Sequence, residues 1–154
     1  MTEVDANGLI GFRFFAGMAP EFVERFADAG REVSFATDEM IFREGDDATG
    51  AYMIRGGDAA LEQHIPGRGH HIIQTVHRGE VVGWSWLFPP YRCRFDARAL
   101  TDVDAIGFGG AALREAITSD TGFAAVVYER WGKLLVGRLE SARLQLVDIY
   151  AQRD

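Results

Sequence analysis

The sequence predicts a mainly β domain flanked by helices, with the strands closing into a compact barrel or sandwich. Between about positions 33 and 108, apolar residues alternate with polar ones or form short runs, punctuated by glycine, proline or acidic turns. On either side of that stretch, apolar residues recur at spacings of three and four, the period of a helix face. The chain has 154 residues, which suits one domain with a substantial core.

Residues 8–32 read as short helices. Phe12, Phe14, Phe15 and Met18 lead into Ala19-Pro20-Glu21, a helix start with proline in the first turn and an acid beside it. Phe22, Val23 and Phe26 then form an apolar stripe, and Gly30 fits a C-terminal stop. From Glu32 the period changes to two. The strand candidates are Val33 to Phe35, Met40 to Phe42, Ala51 to Ile54, Ala59 to Leu61, His71 to Val76, Phe95 to Leu100 and Val103 to Phe108. Pro66-Gly67-Arg68-Gly69 reads as a turn between two of them.

The stretch from Arg78 to Ala99 organises the rest. Val81 and Val82 lead to Gly83, Trp84-Ser85-Trp86 follows in a tight turn, and Pro89-Pro90 stops any short helix there. Arg92, Arg94 and Arg98 come next, around Cys93. A glycine opening a helical turn presents backbone N–H groups to an anion, and nearby guanidinium groups complete a phosphate cradle. The same residues also suit an ordinary barrel corner with exposed arginines.

Helical periodicity returns after Gly109-Gly110. Ala111 to Thr118 makes a short helix, and Ser119-Asp120-Thr121 offers N-cap candidates for a long one running from about Gly122 to Gln152 without a proline. Its length is on the order of 45 Å at 1.5 Å per residue. Leu135, Leu139, Ala142, Leu146 and Ile149 form an a/d seam over two heptads, and Phe123, Val126, Val127, Trp131 and Leu134 form a second stripe facing the barrel. A single small barrel can hardly cover both stripes, so a homodimer with paired C-terminal helices is expected. The competing arrangement folds the long helix over its own barrel.

Composition narrows the function classes. With 16 basic and 23 acidic residues the net charge is −7, which argues against a nucleic-acid-binding surface. Cys93, the one cysteine, leaves no internal disulfide, cysteine-rich zinc site or self-contained iron–sulfur cluster. The start lacks a signal-peptide pattern and no apolar run is long enough to span a bilayer, so a soluble cytoplasmic protein is expected. His64, His70, His71 and His77 lie on or near adjoining strands but without cupin-type spacing, and no metal site is assigned to them. Asp46-Asp47 and Asp102/Asp104 read as turn acids. No nucleophile sits with a base, so an enzyme is not expected.

Phe42-Arg43-Glu44-Gly45-Asp46, followed by Tyr52-Met53-Ile54-Arg55-Gly56-Gly57, resembles the first barrel turns of the cyclic-nucleotide-binding domain. His77-Arg78-Gly79-Glu80-Val81-Val82-Gly83 resembles the entry to that family's phosphate-binding cassette, and F-F-A-G-M-A-P-E resembles the lead-in of regulators related to the catabolite activator protein. The resemblance implies a β-roll (a double-stranded β-helix or jelly roll) over 33–109, a helical lead-in over 1–32 and C-terminal helices over 110–154. It places the ligand-binding cassette at Gly83, Trp84, Ser85, Trp86, Arg92, Cys93 and Arg94.

The cassette departs from the family pattern. Trp84 follows Gly83 where the family has a glutamate that accepts a hydrogen bond from the ribose 2′-hydroxyl. Losing one charge-assisted hydrogen bond costs roughly 1.5–3 kcal/mol, about ten- to a hundred-fold in affinity. Arg92-Cys93 matches the family's arginine followed by a small residue, while counting back from Asp96-Ala97-Arg98-Ala99 favours Arg94. Regulators of this family carry a helix-turn-helix domain after the long helix, whereas this sequence stops at Asp154, so no direct DNA binding is expected. The resemblance therefore implies a non-enzymatic regulatory module without cofactor, dimeric through its long helix and acting on a protein partner, with cyclic nucleotide binding weak or lost. The alternative is a working sensor of cAMP, cGMP or another phosphorylated ligand.

Overall fold

A computed structural model describes residues 3–152. Two short 3-10 turns, Ala6–Gly8 and Arg13–Phe15, precede helix α1, Pro20–Asp28, which has proline in its first turn. Eight strands follow: β1 Gly30–Phe35, β2 Met40–Phe42, β3 Gly50–Gly56, β4 Ala59–Ile65, β5 Gly69–Val76, β6 Val81–Val82, β7 Asp96–Ala99 and β8 Val103–Gly109. Helices α2, Gly110–Ser119, and α3, Thr121–Ala151, complete the order. The strands form two four-stranded antiparallel sheets, β1-β8-β3-β6 and β2-β7-β4-β5, which make the β-roll.

Burial explains the sequence pattern. The sheet containing β8 is covered on both faces, so β8 reads as a nearly continuous apolar run. Ile106 and Phe108 face the helices in one core with Phe26, Trp86, Leu113, Phe123 and Trp131, while Val103 and Ala105 face the other sheet in a second core with Ile54, Leu61, Val76 and Val82. Aromatic rings dominate the first core. Phe26 meets Phe15, Phe108 and Phe123 at centroid distances of 5.3, 5.5 and 5.3 Å and stacks on Trp131 at 6.1 Å. Offset and edge-on pairs of this kind add about 0.5–1.5 kcal/mol each beyond area burial.

Two local expectations are refined. Gly30 does not end α1 by adopting a left-handed conformation; it is the first residue of β1, and a Cβ there would lie 3.2 Å from the Phe26 carbonyl oxygen. Close approach of strand and helix, not positive φ, selects glycine. Among the three cap candidates Asp120 caps α3, its carboxylate accepting from the Phe123 N–H at 3.1 Å.

The two stripes of α3 separate as the spacing suggests. Phe123, Val127 and Trp131 are fully buried against the roll, with Val126 and Leu134 half-buried beside them. Of the seam, Leu135 is half-buried, whereas Leu139, Ala142, Leu146 and Ile149 are exposed. Val136, Leu144 and Val147 are exposed as well, so the apolar surface of the last turns is wider than one a/d line.

Candidate ligand-binding cassette

The segment between β6 and β7 joins both cores to the long helix. β6 ends at Val82, and Gly83 takes φ +102°, where a Cβ would also lie 3.0 Å from the Gly50 carbonyl oxygen. Backbone conformation and close approach both require glycine here. A single turn follows, closed by the Leu87 N–H donating to the Trp84 carbonyl at 3.1 Å. The short helix expected before the prolines is only this turn. The Pro89–Pro90 peptide is cis, and Tyr91 N–H donates to the Phe88 carbonyl at 3.0 Å.

Trp86 is fully buried and lies edge-on to Trp131 at 5.0 Å. The Trp131 indole N–H donates to the Gly83 carbonyl at 2.9 Å, and Arg114 of α2 donates to the Trp86 carbonyl at 2.6 Å. The Arg114 guanidinium also lies over the Tyr91 ring at 4.4 Å. Both C-terminal helices are thus bonded to the backbone of the cassette. Sequence periodicity marks Trp131 as a packing residue, but its hydrogen bond spans 48 positions, and nothing local to either residue announces it.

Trp84 turns the other way. It is half-buried, with Phe88 and Phe95 at centroid distances of 6.5 Å and the Arg94 guanidinium 5.7 Å above its ring. Phe95 in turn meets Phe42, which stacks on Tyr52, so the indole joins an aromatic row along the end of the roll. Ser85 is buried, and the amides of Ser85 and Trp86 donate to no protein acceptor among the described residues.

The three arginines behind the prolines have different surroundings. Arg92 forms an antiparallel bridge with Asp47 and an ion pair with its carboxylate at 2.9 Å, facing solvent. Arg98 is locked to Glu62 through two bonds, 2.9 and 3.1 Å, and to Asp38 at 2.8 Å. Its hydrogen bond to the Glu62 carboxylate is the chief cause that raises its pKa further. Glu62 itself is buried, so the pair spans the β4–β7 ladder as an internal tie. Arg94, exposed over Trp84, has no carboxylate partner among the described residues.

Cys93 faces inward, its N–H donating to the Asp46 carbonyl at 2.9 Å and its carbonyl accepting from Gly45 N–H at 2.8 Å. Burial, reinforced by Asp46 and Asp47, pushes the thiol up to about 11. Two of the four histidines are paired with carboxylates: His70 lies 3.3 Å from Asp96, and His77 lies 2.6 Å from Asp58, a hydrogen bond that raises its pKa.

A family profile for the cyclic nucleotide-binding domain matches residues 32–120. The chain belongs to the cyclic nucleotide-binding domain family. A cyclic nucleotide-binding protein of Geobacter metallireducens GS-15 superimposes with TM-score 0.76 at 27% identity, over 84% of this chain and 93% of that one. A cyclic nucleotide-binding domain from Methylobacillus flagellatus does so with TM-score 0.77 at 18% identity, over 90% and 78%. The catabolite activator protein of Thermus thermophilus gives TM-score 0.70 at 22% identity, over 89% of this chain and 62% of that one. No curated protein matches the sequence significantly. The expected β-roll with flanking helices is therefore the fold.

Two outcomes follow from this geometry. Trp131→Phe keeps an aromatic ring but removes the donor to Gly83 and leaves a cavity where the rest of the buried indole stood; the lost hydrogen bond alone should lower stability by about 1–3 kcal/mol, with the cavity adding to it, read as a lower urea midpoint at unchanged slope. Cys93 should react negligibly with a disulfide reagent at pH 8 in the folded protein and rapidly after unfolding; fast reaction without unfolding would contradict a buried thiol of raised pKa.

Proposed function

We propose that this protein is a non-enzymatic regulatory module in which the cassette has been turned from a cyclic nucleotide site into a structural joint. The observation that carries the reading is Trp84. An indole packed against Phe88 and Phe95 stands next to Gly83, and Arg94 stacks on it. A family ligand would have to displace that indole and forgo the missing carboxylate. Arg92 is held by Asp47 and Arg98 by Glu62 and Asp38, so neither is free for a phosphate without breaking an ion pair.

The alternative reading, a working sensor, is favoured by one specific feature. The amides of Ser85 and Trp86, without a protein acceptor among the described residues, follow directly on Trp84, over whose ring lies Arg94, an arginine with no carboxylate partner there; unpaired amides and a guanidinium are the groups a phosphate needs. Neighbours of the same fold support either outcome. The regulatory domain of Toxoplasma gondii protein kinase A was crystallised with cAMP, and the regulatory subunit of a cAMP-independent protein kinase A from Trypanosoma cruzi was bound to guanosine.

The proposed output is protein–protein contact. The exposed apolar residues of α3, with Leu139, Leu146 and Ile149 at heptad spacing, suit a second copy of the chain in a parallel helix pair, and the dimer then presents itself to a protein partner. No helix among the described residues is long and apolar enough to cross a membrane.

Titration with cAMP and with cGMP, followed by calorimetry and tryptophan fluorescence, tests the cassette. No heat and no spectral change up to millimolar ligand is expected; saturable low-micromolar binding that disappears in Arg94→Ala would establish the sensor instead. For the assembly, light scattering on the eluting protein should give twice the 17.1 kDa chain mass. The double variant Leu139→Glu/Leu146→Glu should elute as a folded monomer, and a wild-type monomer at micromolar concentration would remove the dimer.

A further inference from the structure

Beside the entry to the cassette, and sharing no residue with 83–94, α3 and the roll enclose a groove of about 620 Å³. Its lining includes Arg13 from the second 3-10 turn, Glu80 from the turn before β6, and Arg130, Lys133 and Arg138 from α3. In a chain of net charge −7, four cations border one small space.

Two of those cations are held by the walls in a particular way. Arg130 donates to the Phe14 carbonyl at 2.7 Å and Arg138 to the Val81 carbonyl at 2.9 Å. Both anchors are neutral backbone groups. They leave Arg130 Nε and Arg138 Nη1 buried without an acceptor. A buried donor without a partner is costly, and a buried cation without a counter-ion more so. The protein supplies little compensation. Glu80 already accepts from the His77 N–H at 3.0 Å, and Glu129 sits at the rim, 3.7 Å from Arg130 and 3.4 Å from Lys133. Burial lowers the Arg138 pKa, with Glu80 opposing it only through space.

We propose that this groove is a second ligand site, separate from the cassette, and that it takes a small molecule bearing a dianionic phosphate. Arg13, Arg130, Lys133 and Arg138 against Glu80 and Glu129 leave a surplus of two positive charges. A phosphomonoester carries about −1.5 to −2 at neutral pH, whereas the phosphodiester of a cyclic nucleotide carries a single charge. The groove volume lies within the range of about 300–1,000 Å³ usual for small-molecule sites. Guanidinium N–H groups with no protein acceptor are the donors a phosphate oxygen would satisfy. The inference does not depend on whether the cassette binds a nucleotide.

The test is calorimetry on the full chain with inorganic pyrophosphate and with AMP, using cAMP as the matched monoanion. Pyrophosphate and AMP should bind saturably and raise the unfolding temperature, with cAMP at least ten-fold weaker at this site. Lys133→Glu, at a side chain 74% exposed, should fold normally and weaken AMP and pyrophosphate ten-fold or more. Arg138→Met should weaken them as much while leaving the ligand-free unfolding temperature equal or higher, because it removes a partly buried cation that has no hydrogen-bonded carboxylate among the described residues. Should Arg138→Met fail to fold, Lys133→Glu still decides. No saturable heat from either dianion up to millimolar concentration, or an affinity unchanged in the folded variants, would overturn the proposal. So would cAMP competing for the groove as well as AMP does.

Discussion

The bond from the Trp131 indole to the Gly83 carbonyl is the constraint on which the rest of the structure depends. It fixes a point at which the long helix, the helix-facing core and the cassette meet, beside the Trp86–Trp131 contact. Gly83 reaches that point because its backbone takes positive φ beside Gly50, and Trp131 reaches it because Phe14, Phe26 and Trp86 surround its ring. Arg114 adds a second tie from α2 to the next part of the same loop. Any rearrangement of the cassette must therefore either carry α2 and α3 with it or leave a buried carbonyl unpaired.

Much of this was written in local patterns. Period-two alternation and turn residues marked the strands, and the proline start of α1 and the acidic cap of α3 stand where helix-terminus chemistry puts them. The two stripes of α3 were readable because a helix displays its faces in sequence. What local pattern hides is pairing across the fold. Arg98 looks like its neighbours Arg92 and Arg94 in sequence, yet Glu62, 36 positions earlier, takes it out of contention for a ligand. Nothing in the sequence around Arg130 and Arg138 sets them apart from other charges on a helix, yet each is bonded to a distant backbone carbonyl, of Phe14 and Val81, and keeps one donor atom buried. The short strand β6 lay hidden in a loop because its two valines pair with Tyr52 and Met53 over only two positions.

Charge is distributed against the average. A chain with an acidic excess gathers Arg13, Arg130, Lys133 and Arg138 in the seam between α3 and the roll, in surplus over Glu80 and Glu129 beside them, while acidic residues such as Asp47 and Asp38 are held in ion pairs elsewhere. Net charge describes solubility here and says little about local potential. The half-buried Glu62–Arg98 pair and the buried donors of Arg130 and Arg138 are opposite uses of a lowered dielectric. One is closed on itself with its bonding complete, and the other is incomplete.

The helix that leaves this joint is also a pointer. Trp131 is held in the core, whereas α3 runs on to Ala151. Beyond Trp131 two hydrogen bonds still tie the helix to the roll, from Arg138 to the Val81 carbonyl at 2.9 Å and from Gln145 to the Ile73 carbonyl at 2.8 Å. At 1.5 Å per residue the arm from Trp131 onward is about 30 Å long, so a tilt of about 10° at Trp131 that releases those ties sweeps its tip through about 5 Å. Displacements too small to notice inside the aromatic core thus become a full helical turn at the far end. The geometry acts as a mechanical amplifier whose pivot is an indole and whose catches are the Arg138 and Gln145 hydrogen bonds.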